Sequence, residues 1–437
     1  MRTIFVCLVL TAATVALPAP ARADRVRDVL APLDKIYRDL DALYQDLHRH
    51  PELSNQERQS AAKLASRLRA LGFKVTTGVG KTGVVGILEN GAGPTIMVRT
   101  ELDALPVEEK TGLPYASKDT AIDPTGARVP VMHACGHDVH MAAWVGTATL
   151  LSRSRSHWRG TLMMVAQPAE EMLTGARAMI ADGLFTRWKK PDHAVAVHVY
   201  GLVPAGVIGY VPGFHKSSMD SVDIKVLGRG GHGAAPHRTI DPVLLAARIV
   251  VTLQSIVSRE IDPRDPAVVT VGSIHGGTKH NVIPDEVKLQ ITMRSYSETV
   301  RNHLREAVGR IARGEAAAAN APAPEVVITA GGDAAYNDPA LTTRIAAALV
   351  PIFGPEGVRQ MQPLMTSEDF GEYPRAGVPS VQLMLGSADA AVLARAEAAG
   401  QEVPANHNSA YAPLREPTIK GATTALTAMA LELLGKP

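Results

Sequence analysis

Residues 132–140, "MHACGHDVH", put one cysteine, one aspartate and three histidines into nine positions. A Cys-x-His pair offers sulfur and imidazole nitrogen, donors that zinc and its neighbours in the first transition row accept. The spacing has other uses too. Asp138 is a candidate N-cap for the helix that should follow. His133 and His140 read better as structural histidines, because imidazoles that bind metal need hydrogen-bonding partners of their own. Farther on, Glu170 and Glu171 follow the apolar run "GTLMMVAQ" with no basic residue beside them. Two adjacent carboxylates tolerate each other in a solvated loop, or beside a cation. Together with His198 and the Cys/His loop they would make a divalent site of mixed N, O and S donors, suited to zinc, manganese or cobalt.

These residues end apolar runs that look like strands. "TIMVRT" runs into Glu101-Leu102-Asp103, "TLMMVAQ" into the glutamate pair, and "HAVAV" into His198. In open α/β sheets, ligands collect at the carboxyl ends of strands. Three such ends and one Cys/His loop form a convergent cluster.

The elements that must hold the cluster are legible in part. Residues 24–71 repeat apolar side chains at three- and four-residue steps, as amphipathic helices do. Pro51 should stop the first helix, and Ser54-x-x-Glu57 reads as a capping box for the next. The strands "FKVTT", "VVGILE", "TIMVRT", "GTLMMVA" and "HAVAVHV" alternate with helical stretches such as "MAAWVGTATLL". That order implies a mixed α/β sheet flanked by helices. After Pro212-Gly213 comes a second pattern: strand, helix, strand, strand, helix, strand. This βαββαβ order is ferredoxin-like and closes on itself by antiparallel pairing. Helix "PALTTRIAAALVPIF" and strand "PSVQLML" then return to the first unit. The expected division is a catalytic domain over residues 24–214 and 331–437, interrupted by a smaller domain at 215–330.

Residues 1–23 read as a cleaved export signal, with Arg2, an apolar stretch and Ala21-Arg22-Ala23 before the cut. An exported, periplasmic or secreted protein is expected. Without the two arginines of that leader, the chain's 45 basic residues fall to 43, equal to its 43 acidic ones. A neutral chain gives no field for nucleic acid or an anionic membrane surface. Of the two cysteines, Cys7 leaves with the leader, so Cys135 has no partner for an internal disulfide. An inert buried thiol, a nucleophile and a metal ligand all remain open on these grounds.

A resemblance narrows the choice. "RHPELS", "HACGHD", "QPAEE", the "HV" at 198, "GRGGHGAAPH", "NVIPD" and "SEDF" occur in this order across essentially the whole chain after the leader. Together they resemble the amidohydrolase family of hippurate hydrolases, aminoacylases and auxin-conjugate hydrolases, related to the dinuclear metallo-carboxypeptidases. The resemblance implies two divalent metal ions, manganese, zinc or cobalt, bridged by Cys135 and held by His137, Glu171, His198 and His407. It implies Glu170 as general acid/base and Asp103 as the residue that orients a ligand imidazole. In the inserted domain, a dimerisation and lid unit, His232 would reach into the partner's site of a homodimer. Asn281 and Arg294 would hold the substrate, Arg294 by its carboxylate, which a planar guanidinium grips with two hydrogen bonds. The bland reading of Arg294 is an exposed strand residue in a weak surface ion pair.

The implied reaction is hydrolysis of an N-acyl amino acid, hippurate-like, to a carboxylic acid and a free amino acid by metal-activated water. A dipeptidase or carboxypeptidase on the same centre is the alternative. A cysteine hydrolase with Cys135 as nucleophile, or an exported binding protein, would be the other classes. The Glu170-Glu171 pair argues against the last, since a binder has no need of a base beside a ligand. The chain departs from the family in three places: Glu101 stands where aspartate is usual, Thr366 where glycine is common, and no proline follows His407.

Overall fold

A computed structural model describes residues 19–436. The expected leader falls mostly outside that range, and the first described helix, α1, spans Ala19–Leu30. Helices α2 (Leu33–Arg49) and α3 (Arg58–Ala70) follow. The chain turns at Ala31-Pro32, so the helical pattern of residues 24–47 is two helices. The expected capping box does not form. No side chain of Ser54 or Glu57 caps α3, and Glu52 instead accepts from Gln59 N and Ser60 N at 3.0 and 2.8 Å. Ser54 and Glu57 are drawn into the loops around the candidate site, where stronger partners compete for them.

Eight strands build a mixed sheet: β1 (Lys74–Val79), β2 (Gly83–Asn90), β3 (Thr95–Glu101), β4 (Gly160–Gln167), β5 (His193–Pro204), β6 (Ile208–Tyr210), and two that return after the inserted unit. That unit comprises β7 (Ser218–Leu227), α6 (Pro242–Ser255), β8 (Ala267–His275), β9 (Glu286–Ser295), α7 (Glu298–Ala318) and β10 (Glu325–Ala330). The returning strands are β11 (Val358–Gln360) and β12 (Ser380–Ala388), which gives the sheet order β1-β2-β4-β3-β5-β12-β6-β11. Strands β3, β4, β5 and β12 pair in parallel. Every residue of β3 is buried, as a central strand covered on both faces requires; Ile96, Met97 and Val98 are apolar, while Arg99 and Glu101 are buried charged residues.

Helices α4 (His137–Arg153), α5 (Gly175–Ala181), α8 (Pro339–Phe353), α9 (Ala390–Ala399) and α10 (Arg415–Leu433) complete the chain. Helix α4 is buried from His137 to Leu151, wedged between the sheet, α2 and α10. Trp144 Nε1 donates to Val98 O at 3.0 Å, which ties it to β3. Gly146 lets α10 approach; a Cβ there would lie 2.9 Å from the Thr423 side chain. Helix α10 is buried nearly all round, so it lacks the apolar stripe by which a surface helix announces itself. Helix α9 is the opposite case and contains no buried residue.

The inserted strands pair antiparallel in the order β8-β9-β7-β10, under α6 and α7. Val222, Ile224, Leu245, Ile249, Leu289 and Leu304 belong to a core separate from that of the main sheet. With the π-turn that runs on to Glu260, α6 is the one helix among the described residues long and apolar enough to cross a membrane. Its Leu245-Ile249-Leu253 stripe faces the inserted core, while Leu244 and Val251 remain 63% and 73% exposed.

Candidate metal centre and substrate cavity

The Cys/His loop follows a short strand, Arg128–Pro130, of a two-stranded ribbon outside the main sheet and leads directly into α4. Gly136 is the N-cap of α4, at φ 82°, and a Cβ there would meet Val199 Cγ2 at 2.5 Å. Only glycine fits that combination of left-handed backbone and contact. Asp138 does not cap the helix. It lies in the first turn, where its Oδ2 is 2.6 Å from His48 Nδ1. Its other oxygen, Oδ1, accepts from Val139 N at 2.9 Å within the same buried turn.

His137 opens α4 with its ring pointed at the acids. Its Nδ1 donates to Asp103 O at 2.7 Å, which leaves Nε2 buried, without a hydrogen bond, 3.7 Å from Glu170 Oε2 and 4.0 Å from Glu171 Oε1. His198 lies within β5, rather than at its end, and donates through Nδ1 to Val199 O at 2.8 Å. Its Nε2 is thereby turned toward Cys135 Sγ, 3.5 Å away. His407 Nε2 is 3.5 Å from Glu171 Oε2.

The glutamates sit on a strained loop. Ala169 and Leu173 adopt φ of 48° and 55°, a region that costs L-residues energy and is concentrated at functional sites. Glu57 Oε1 accepts from Ala169 N at 2.8 Å, and Asp103 Oδ2 accepts from Glu171 N at 2.9 Å and Ser54 Oγ at 2.6 Å. The carboxylate of Asp103 therefore braces the acid loop; it is the backbone carbonyl of Asp103 that holds the His137 imidazole, with Oδ1 at 3.5 Å.

The site is rich in negative groups. Burial, Glu368 and then Glu171 push the Glu170 carboxyl well above its ordinary range. Burial pushes Glu171 up to about 7 against the pull of His137. Burial and Glu171 push the Cys135 thiol up as well. A cation reverses that logic, because it favours the charged form of every donor around it. The donors fit divalent metal ions. Cys135, His137 and His198 form one triplet, and Cys135, Glu171 and His407 a second; in each, the donor atoms lie within 4.8 Å of one another. Buried Nε2 of His137 and Oε1 of Glu171 have no other partner.

His140 is held as a structural histidine, whereas neither ring nitrogen of buried His133 has a hydrogen-bond partner among the described residues. His140 Nδ1 meets Glu101 Oε2 at 2.9 Å and its Nε2 accepts from Val199 N at 2.8 Å. Glu101 thus holds His140 and the guanidinium of Arg99, and its extra methylene is used behind the site. His133 is buried, and burial lowers its pKa to about 4.

A cavity of about 490 Å³ opens beside the donors. Cys135, Glu170, Glu171, His198 and His407 line one side, and Leu173, Leu202, Met219, Leu364 and Met384 supply apolar wall. Arg294 on β9 also lines it, held through Nη1 by Met365 O at 2.9 Å and Ser367 Oγ at 3.2 Å. Thr366 lines it too, and its carbonyl accepts from Ser217 N. His232 and Asn281 are not among the lining residues. Both are exposed on a ribbon of Gly231–His232 and Val282–Ile283 in the inserted unit, where Gly233 N donates to Asn281 O at 2.9 Å.

Sequence reasoning missed the layer beneath the acids. Arg99, fully buried, bonds to Glu101, Gln167, Glu368 and Asp369, and Lys216 stands 3.7 Å from Glu368 Oε2. The motif "SEDF" holds two of the three acids of this layer, Glu368 and Asp369. Its signal was the acid pair, without a visible partner in sequence.

The sequence pattern of peptidase family M20/M25/M40 matches residues 97–402. The chain is 36% identical over 343 residues to a hippurate hydrolase of Campylobacter jejuni, covering 76% of this chain and 84% of that one. It is 35% identical over 331 residues to thermostable carboxypeptidase 1 of Saccharolobus solfataricus, covering 75% and 80%. A crystal structure of a dinuclear metal-binding M20 peptidase from Bacillus subtilis superposes with TM-score 0.72 at 28% identity, covering 92% of this chain and all of that one.

Proposed function

The chain belongs to peptidase family M20/M25/M40, and from that premise we propose that it is a metal-dependent amidohydrolase of hippurate-like N-acyl amino acids, released as carboxylic acid and amino acid. The observation that carries this reading is Cys135, common to two donor triplets, with Glu170 and an apolar cavity beside it. Two divalent ions, manganese, zinc or cobalt, would be held by Cys135, His137, Glu171, His198 and His407. They would supply Lewis acidity that lets water lose a proton near neutral pH.

Glu170 accepts that proton and passes it to the amide nitrogen as the C–N bond breaks, serving as base and then as acid. Its carboxylate lies 3.7 Å from His137 Nε2 and lines the cavity, within reach of both the water and the amide. Arg294 binds the α-carboxylate, and the apolar wall receives the acyl group and excludes water. Asp103 acts as a positioning residue, through Glu171 N and His137 Nδ1.

His232 and Asn281 complete the site of a second copy in a homodimer. The exposure of His232 and the apolar face of α6, open at Leu244 and Val251, support that arrangement. The leader pattern supports export to the periplasm or the medium. A second reading, dipeptidase or carboxypeptidase on the same centre, is favoured by the likeness to thermostable carboxypeptidase 1. The deciding experiment assays N-benzoyl and N-acetyl amino acids beside dipeptides, with manganese, zinc and cobalt in turn and after dialysis against a chelator. The proposal expects chelator-sensitive hydrolysis of the N-acyl amino acids; full activity of metal-free protein would overturn it, and turnover of dipeptides alone would select the second reading.

A further inference from the structure

Four charged side chains line the cavity besides its histidines and Cys135. Glu170, Glu171 and Arg294 have tasks in the proposed reaction, and Lys216 has none. Lys216 is 6% exposed. An ammonium taken out of water costs several kcal/mol unless it is paired. Its nearest carboxylate oxygen, Glu368 Oε2, is 3.7 Å away, beyond hydrogen-bond distance. Glu368 is also committed elsewhere. Its Oε1 accepts from Arg99 Nη2 at 2.8 Å and Phe370 N at 3.0 Å, and its Oε2 from Gln382 Nε2 at 2.8 Å. The Lys216 ammonium, with three donors, therefore stands on the cavity wall with no hydrogen-bond acceptor among the described residues.

Arg294 is the cavity's other fixed cation. One carboxylate satisfies one of the two; a ligand with two carboxylates satisfies both and lets its apolar middle lie along Leu173, Met219 and Leu364. We propose that Lys216 is a specificity-determining residue, and that the cavity takes N-acyl amino acids bearing a second carboxylate, received by the Lys216 ammonium. The inference rests on the amidohydrolase reading. The second carboxylate sits either at the far end of the acyl group or on the amino-acid side chain, and the same ammonium serves both.

Isosteric pairs separate charge from shape. N-benzoylglutamate against N-benzoylglutamine probes the side-chain position, and N-succinylglycine against its succinamide analogue probes the acyl position. In manganese-loaded protein, the acid of at least one pair should exceed its amide in kcat/KM by roughly 10- to 100-fold, the value of one charge-assisted hydrogen bond. Lys216→Met should remove most of that ratio, and Lys216→Arg should keep most of it. If Lys216 only balances Glu368, the substitution lowers acid and amide together and the ratio survives. That result overturns the proposal, as does a ratio near one in both pairs for the unaltered protein. Calorimetric titration of N-benzoylglutamate and N-succinylglycine into Glu170→Gln protein, with and without Lys216→Met, reads the same preference in Kd without turnover. Absence of hydrolysis in every pair would refute the amidohydrolase reading, and the calorimetric ratio would still decide the role of Lys216.

Discussion

His48, at the end of α2, gives a quantitative test of how the Cys/His loop is anchored. Its ring is 1% exposed, with Nδ1 2.6 Å from Asp138 Oδ2 and Nε2 3.0 Å from Glu109 Oε1. Burial alone would lower its pKa; the two carboxylates outweigh burial and raise it to about 9. An unfolded histidine titrates near 6.5. Folding therefore favours the charged imidazole, and the stabilisation is fully present below pH 6.5 and disappears as pH rises through 9. The difference of about 2.5 units, at about 1.4 kcal/mol each, amounts to roughly 3 kcal/mol. Urea unfolding of chelated protein from pH 6 to 10, for the unaltered chain and for His48→Gln, should give stability curves that converge by about that amount. Selective labelling of histidine for NMR reads the same midpoint directly. Parallel curves across the range, or a His48 midpoint below 7, would refute the claim that a buried imidazolium ties Asp138 to α2.

The two adjacent glutamates should fail in different ways. Glu171→Gln should weaken metal binding, with part of the activity recovered at excess metal. Glu170→Gln should keep its metal and lose at least about 100-fold in kcat; metal analysis showing the reverse would exchange their roles. If His232 serves the partner's site, His232→Ala and Glu170→Gln subunits, each inactive alone, should regain part of the activity on mixing. Exchange of subunits without any rescue would place His232 in its own chain's site or in a structural role.

The central strands and the βαββαβ order were readable because their signals are local: apolar runs of the right length, and alternation on half-buried strands. Helix α10 was not, because burial on every side erases the periodic contrast. The metal-ligand candidates on the Cys/His loop and after β4 stood out as reactive types in apolar surroundings. His407 had no such context and entered only through the family resemblance. Ser54 shows the opposite failure. Its motif was a good local cap, but Asp103 Oδ2 at 2.6 Å is a charged acceptor, and the tertiary bond won. Arg99 and Glu101, two apart on β3, share a face by strand alternation, but nothing in "VRTE" says that this face is buried against Glu368 and Asp369.

His407 differs from the other candidate donors in what would release it. Cys135, His137, His198 and Glu171 lie on segments packed against the main core. His407 is more than half exposed, at φ 70°, on a loop that follows a helix with no buried residue. Its backbone tie is a single bond to Ala134 O, and Asn406 adds side-chain bonds to Cys135 O, Val199 O and Gly201 N. Such a segment opens by local fluctuation, at far lower cost than unfolding the sheet. An ion held through His407 would then exchange with its surroundings while one held by Cys135, His137 and His198 stayed in place.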